Sequence, residues 1–143
     1  MREAQVRFYV DADILGLAKI LTQLRADVTY PGDPGGTVRK RIRPACPITT
    51  PATKDHVWIP TVTARGWLIV TRDSRIQSHR AELRAVREHG ARMIALAGRE
   101  AVDIWHQLEV FMAQWRTIER LTHEPGPFIY SVTRTALRQT DLE

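Results

Sequence analysis

Cysteine is almost missing: Cys46 is the only one in 143 residues. No disulfide framework and no cysteine zinc site can be assembled within one chain, and this usage suits a reducing, cytoplasmic setting. Apolar runs are short, well below the roughly 18 residues that a membrane span requires, so no membrane association is expected. The opening Met-Arg-Glu-Ala-Gln leads straight into an apolar segment with no signal-peptide core, which again points to the cytosol. The histidines (His56, His79, His89, His106 and His123) show no H-x-x-x-H spacing, so a histidine-ligated zinc is not indicated. Lysine is scarce as well: Lys19, Lys40 and Lys54 are all there are.

Arginine carries the positive charge instead. The formal net charge is +5 and the isoelectric point about 10.0. A basic balance favours a polyanionic partner, and the planar guanidinium matches phosphate, although GC-rich codon usage produces the same bias. The apolar fraction of 43% is that of a folded globular protein. The length suits one domain over residues 1–143, large enough to bury a core.

Apolar patterning alternates between two periods. Residues 6–10 predict a buried strand, and residues 14–25 a helix with Ile14, Leu17, Ala18, Leu21 and Leu24 at helical spacing. Asp27-Val-Thr-Tyr30 predicts a second short strand, joined by a right-handed parallel crossover. From Pro31 to Thr53, prolines and glycines crowd the chain and predict a long loop without regular structure. A short helix at 55–65, a strand at 67–71, a helix at about 76–89 and a strand at 92–96 follow. A long helix over 100–121 would place Val102, Trp105, Leu108, Met112 and Trp115 on one face; Phe128–Val132 reads as a late strand before a polar tail. Strands alternating with helices predict an α/β fold, a central and mostly parallel sheet flanked by helices in three layers.

In such sheets the side chains just past the carboxyl ends of the strands line the ligand crevice. Asp11 and Asp13 follow the first strand, Asp73 follows the strand ending in Thr71, and Asp55 opens the helix before that strand. Carboxylates gathered at one sheet edge repel one another unless a cation joins them. Hard oxygen donors without histidine or cysteine suit Mg²⁺ or Mn²⁺. Such an ion could activate water and neutralise the leaving oxygen of a phosphodiester. Each acid has a plainer reading too: Asp13 and Asp55 can cap helices, and Asp73 can hold a turn with Ser74. Asp11 is the hardest to explain without a partner, because a lone acid at a buried strand end is costly.

Phe8-Tyr9-Val10-Asp11-Ala12-Asp13, with Asp55-His56-Val57-Trp58-Ile59 and Trp67-Leu68-Ile69-Val70-Thr71-Arg72-Asp73, resembles the PIN-domain nucleases. The short strand after the first helix resembles the compact PIN-like subgroup, which includes VapC-type toxins of toxin–antitoxin modules. The resemblance spans residues 6 to about 97 and leaves the 100–121 helix and the 122–143 tail as additions. It implies a three-layer PIN-like fold and a Mg²⁺- or Mn²⁺-dependent endoribonuclease. It also implies an antitoxin partner and a homodimer. Asp11, Asp55 and Asp73 match the family's catalytic metal-binding acids, and Thr71 matches the threonine that orders the site. The family's further acid between the first helix and the Asp55-type helix has only Asp33 in its region; Asp13 stands as a substitute, and the number of ions is left open.

Arg39, Lys40, Arg41 and Arg43 form a dense basic run suited to RNA backbone, and Arg72 and Arg75 flank Asp73 where they could meet phosphate. Arg80, Arg84 and Arg87 share a helical face. Two other readings compete with the nuclease. One is a catalytically degenerate PIN-like module that binds RNA or a partner. The other is a phosphoaspartate phosphatase using Asp11 and Asp13, which would want a later lysine, and none follows Lys54.

Overall fold

The computed structural model describes residues 2–72 and 80–142. Among these, the main sheet has six strands in the order β3-β2-β6-β7-β8-β9. They are β2 (Phe8–Val10), β3 (Val28–Thr29), β6 (Leu68–Arg72), β7 (Arg92–Leu96), β8 (Phe128–Val132) and β9 (Leu137–Gln139). The first five run parallel, and β9 closes the far edge antiparallel to β8. The tail read from sequence only as polar thus contributes a strand.

Helices cover both faces, and the two-residue period of the strands decides which side chain meets which layer. Phe8, Val10, Leu68, Val70, Ile94 and Leu96 pack into one core with α1 (Leu15–Leu24), α4 (Ile104–Ala113) and α5 (Trp115–Leu121). Tyr9, Ile69, Met93 and Ile129 point the other way, against α2 (Asp55–Ala64) and α3 (Arg80–His89). Gly16 lets α1 and α4 approach, because a β-carbon there would collide with Ile104. The α/β class and the three layers follow the sequence expectation. No helix among the described residues is long and apolar enough to cross a membrane.

Two expectations need correction. The Pro31–Thr53 stretch is not structureless: β4 (Gly36–Val38) and β5 (Arg41–Arg43) form a hairpin, and β1 (Arg2–Glu3) joins it in a second, three-stranded sheet. The hairpin turn places Arg39 and Lys40 at φ 49° and 65°. Such turns normally select Asn-Gly, so Arg-Lys gives no turn signal in the sequence. A buried ion pair anchors the hairpin. Asp33 Oδ2 accepts from Arg43 Nε at 2.6 Å, and Asp33 Oδ1 accepts from Arg43 Nη2 at 3.0 Å. Thr29 Oγ1 and the Gly35 N–H also donate to the Asp33 carboxylate.

The long helix expected over 100–121 is broken into a 3-10 turn (Arg99–Val102), α4 and α5. Gln114 departs from helical geometry between the two helices, and its side chain donates to the carbonyls of Thr133 and Arg134. The buried stripe is Gln107, Val110, Phe111, Ile118 and Leu121. Most of the expected stripe faces solvent, with Trp105 75%, Met112 64% and Val102 56% exposed. Leu108 and Trp115 turn in to pack against the core, Trp115 on the rings of Phe8 and Phe111.

Candidate functional site

The path of the chain creates the crevice. From β2 it crosses α1 to β3 on one side, then returns to β6 on the other side of β2. Neighbouring connections therefore diverge at the β2/β6 boundary. A parallel sheet binds ligands outside the carboxyl ends of its strands at such a switch point. Val10 is in register with Val70, and the Asp11 N–H continues the ladder by donating to the Val70 carbonyl at 2.8 Å. Asp11 and Thr71 are therefore side by side, on the sheet face that α2 and α3 cover.

Asp11 caps the 3-10 turn Ala12–Ile14, accepting from the Ala12 N–H at 2.7 Å. Its other oxygen lies 3.2 Å from Thr71 Oγ1, and Asp13 Oδ2 lies 2.8 Å from the same hydroxyl. One hydroxyl has one proton to give, so it cannot satisfy both carboxylates at once. The Arg72 N–H adds a donor to Asp13 Oδ2 at 3.2 Å. Asp13 is open to solvent as a residue, but its carboxylate is turned onto Thr71 and Arg72. The cap of the Ala12–Ile14 turn is thus Asp11, and the Asp13 carboxylate faces the end of β6 instead.

The electrostatics follow from this crowding. Burial, reinforced by the negative charge of Asp13, pushes the Asp11 carboxyl up to about 7. The Ala12 N–H and the Thr71 hydroxyl pull it down only partly. Burial also raises Asp13, against the Thr71 hydroxyl, the Arg72 N–H and the Arg72 charge. Among the described residues, no arginine or lysine forms an ion pair with either carboxylate. Two adjacent acids short of positive charge, with hard oxygen donors only, fit a Mg²⁺-like cation.

Asp55 sits in the first turn of α2, and its Oδ1 accepts from Trp58 Nε1 at 2.9 Å. Trp58 stacks on Tyr9 with ring centroids 5.1 Å apart. Burial holds the Tyr9 phenol well above its usual range, and the charges of Asp11 and Asp55 both add to this. Both acids thus act on the Tyr9 phenol. Still, among the described residues no three acidic, histidine or cysteine side chains close into one metal cage. Asp73 and Arg75 lie outside the described residues.

Glu82 on α3 is an acid that the strand-end pattern does not single out. Its charge raises the Asp11 carboxyl. It stands four residues before the buried Val86, so it shares the inward stripe of α3. An acid on an otherwise apolar helical stripe is the signal that could have found it. Asp33 goes the other way: its oxygens are engaged by Arg43, Thr29 and Gly35, and its side chain is fully buried in the hairpin anchor.

The basic residues divide between the two edges of the sheet. Arg72 ends β6 beside Asp13. Arg43 is buried against Asp33. Arg39 and Arg41 line a cavity of about 330 Å³ together with Arg7, Arg25 and Asp27. Those three precede the amino ends of β2 and β3, so the exposed hairpin tip lies at the opposite edge from Asp11. The ten-residue α1, about 15 Å long, separates the edges.

Residues 6–98 match the protein family described as PIN like domain. The chain belongs to this PIN-like domain family. The PIN-like region takes in β2 through β7, and with them Asp11, Asp13, Asp55, Thr71 and Asp73. The chain is also similar to the protein named "Putative ribonuclease VapC45" of Mycobacterium tuberculosis (strain ATCC 25618 / H37Rv). The two are 33% identical over 79 residues, a stretch covering 54% of this chain and 56% of that protein. The PIN-like chain thus spans about half the length of this relative. No solved structure matches this chain.

Proposed function

We propose that this protein is a divalent-metal-dependent endoribonuclease of the VapC toxin type, acting in the cytoplasm. The observation that carries this reading is the pair Asp11 and Asp13, joined through the Thr71 hydroxyl at the switch point of the sheet and, among the described residues, without an ion-pair partner. Family membership and the relative's ribonuclease name support it. Asp11, Asp13, Asp55 and Asp73 would hold Mg²⁺ or Mn²⁺. Bound there, the ion would lower the pKa of an attacking water and neutralise charge on the leaving oxygen. Thr71 would fix the two carboxylates, Trp58 would orient Asp55, and Arg72 would meet a substrate phosphate. The products would be 3′-hydroxyl and 5′-phosphate ends. Arg39, Lys40 and Arg41 would add affinity for RNA reaching the far edge. The exposed Val102, Trp105 and Met112 offer an apolar surface for the cognate antitoxin or a second copy.

Asp73→Asn is expected to abolish Mn²⁺-dependent cleavage of single-stranded RNA while the circular dichroism spectrum is unchanged. Full activity in that variant, or in the unaltered protein with excess chelator, would refute the nuclease. Thr71→Val keeps the side-chain volume and removes the shared hydroxyl. Its Mn²⁺ affinity by calorimetry should fall at least about tenfold, the usual effect of removing a group that orients metal ligands; equal affinity would show that Thr71 does not order the site. The reading of a degenerate RNA- or partner-binding module is favoured by one fact, the lack of a third acid closing on Asp11 and Asp13 among the described residues. Such a module would bind RNA with no response to Mg²⁺ or Mn²⁺.

A further inference from the structure

The carboxyl edge that holds Asp11 continues across β6 to β7 and β8. Leu96 is in register with Val132, and the Ala97 N–H donates to the Val132 carbonyl at 2.8 Å, so the segments after both strands leave the sheet together. Between them lies a cavity of about 260 Å³ lined by Ala97, Gly98, Arg99, Thr133, Arg134 and Thr135. Its polar side chains are Arg99, Arg134, Thr133 and Thr135; the arginines and Thr135 are donors suited to an anion, while the Thr133 hydroxyl is engaged with Ala136. Glu109 Oε2 lies 4.0 Å from Arg134 Nη1 on an exposed surface.

The turn that forms one wall is held in place before any ligand arrives. The Thr133 N–H donates to the Ala136 carbonyl at 2.9 Å, and Thr133 Oγ1 accepts from the Ala136 N–H at 3.2 Å. Gln114 ties the carbonyls of Thr133 and Arg134 to the α4–α5 junction. A fixed wall reduces the ordering cost of binding. The position also matters. Neighbouring strands are about 4.8 Å apart, so this cavity is only a strand or two along the edge from Thr71 and Arg72. The arginine-rich hairpin tip, by contrast, lies at the other edge.

We infer that the Arg99/Arg134 cavity is a subsite for a backbone phosphate of single-stranded RNA, one that flanks the phosphate at the Asp11 centre. This rests on the ribonuclease reading and adds the direction in which the strand leaves the site: across β6 toward β8. Both arginines grip away from the reacting atoms, so they add binding that is equal in ground and transition states.

The test uses the full chain with Arg99→Ala/Arg134→Ala, Arg99→Ala alone as the milder change, and Arg138→Ala on β9 as a control for general loss of charge. Binding of a fluorescent single-stranded RNA oligonucleotide is measured in chelator over a salt series, and cleavage is measured with Mn²⁺. The double variant should show a salt slope shallower by about 0.7 for each phosphate no longer neutralised. Its KM should rise about tenfold with kcat unchanged, while Arg138→Ala matches the unaltered protein. If the unaltered protein binds and cleaves but neither Arg99 variant changes slope or KM, the subsite is wrong and the nuclease stands. An equal change in Arg138→Ala would also overturn it, as a diffuse charge effect. If the unaltered protein neither binds RNA in chelator nor cleaves it with Mn²⁺, the ribonuclease reading fails and the subsite fails with it.

Discussion

Asp11→Asn is expected to make the metal-free protein more stable above pH 7 while destroying its proposed metal-dependent activity. In the folded chain the Asp11 carboxyl titrates at about 7 because burial and the Asp13 charge disfavour its ionised form. In the unfolded chain it titrates near its ordinary value of about 4. Between those values the folded state holds a proton that the unfolded state has lost. The stability of the unsubstituted protein must therefore fall as pH rises from about 4 through 7, and level off above. Asparagine carries no such penalty and can still accept from the Ala12 N–H. After allowing for solvent screening at a half-buried edge, the gain at pH 8 is roughly 2 kcal/mol, or about 5 °C in melting temperature for a chain of this size. Below pH 4 the two proteins should melt together. Adding Mn²⁺ should stabilise the unsubstituted protein and leave Asp11→Asn largely unmoved, since a ligand stabilises only the state that binds it. Scanning calorimetry in chelator and in Mn²⁺ reads all of this without an activity assay. An Asp11→Asn protein that is less stable at pH 8 would mean that the carboxylate is already satisfied by the fold.

The second large effect lies at the hairpin anchor. Asp33→Ala leaves the Arg43 guanidinium buried, with its side chain 7% exposed and its carboxylate partner gone. Removing one member of such a pair costs about 3–5 kcal/mol. The Thr29 hydroxyl and the Gly35 N–H lose an acceptor in the same step. Urea unfolding should show the midpoint shift, and Arg43→Ala should show a comparable one. Replacing both by apolar residues, Asp33→Leu with Arg43→Met, should cost clearly less than either single change, since no buried charge is then stranded. If the double replacement is as damaging as the sum of the singles, the coupling energy is zero and the two side chains contribute independently, which would overturn the stranded-charge account. The consequence for function is positional. Without the anchor, β4 and β5 lose their hold on α1 and β3, and the Arg39–Lys40 tip loses its fixed place.

Local chemistry makes much of this protein legible from its sequence. The alternation of Phe8, Tyr9 and Val10 between two cores, the strands at 92–96 and 128–132, and the acids placed just past strand ends all follow from short-range periodicity. The Asp11 and Thr71 motifs of the PIN-like family are equally local. What periodicity cannot supply is which strand neighbours which, because that depends on pairings between residues far apart in sequence. The order β3-β2-β6-β7-β8 alone puts Asp11 beside Thr71 and makes their boundary the crevice. The same limit explains the stripe on α4. Residues 102–115 offer two apolar stripes at helical spacing, and only packing against the sheet chooses Val110 and Phe111 over Trp105 and Met112. The basic run looks like part of the acidic site because charge has no direction in a sequence. Folding the hairpin along α1 carries Arg39 and Arg41 to the amino edge, and the crossing from β7 to β8 brings Arg99 and Arg134 to the carboxyl edge. Residue types and their spacing settled the chemistry available to this chain; the long-range pairing of strands decided which of those groups could act together.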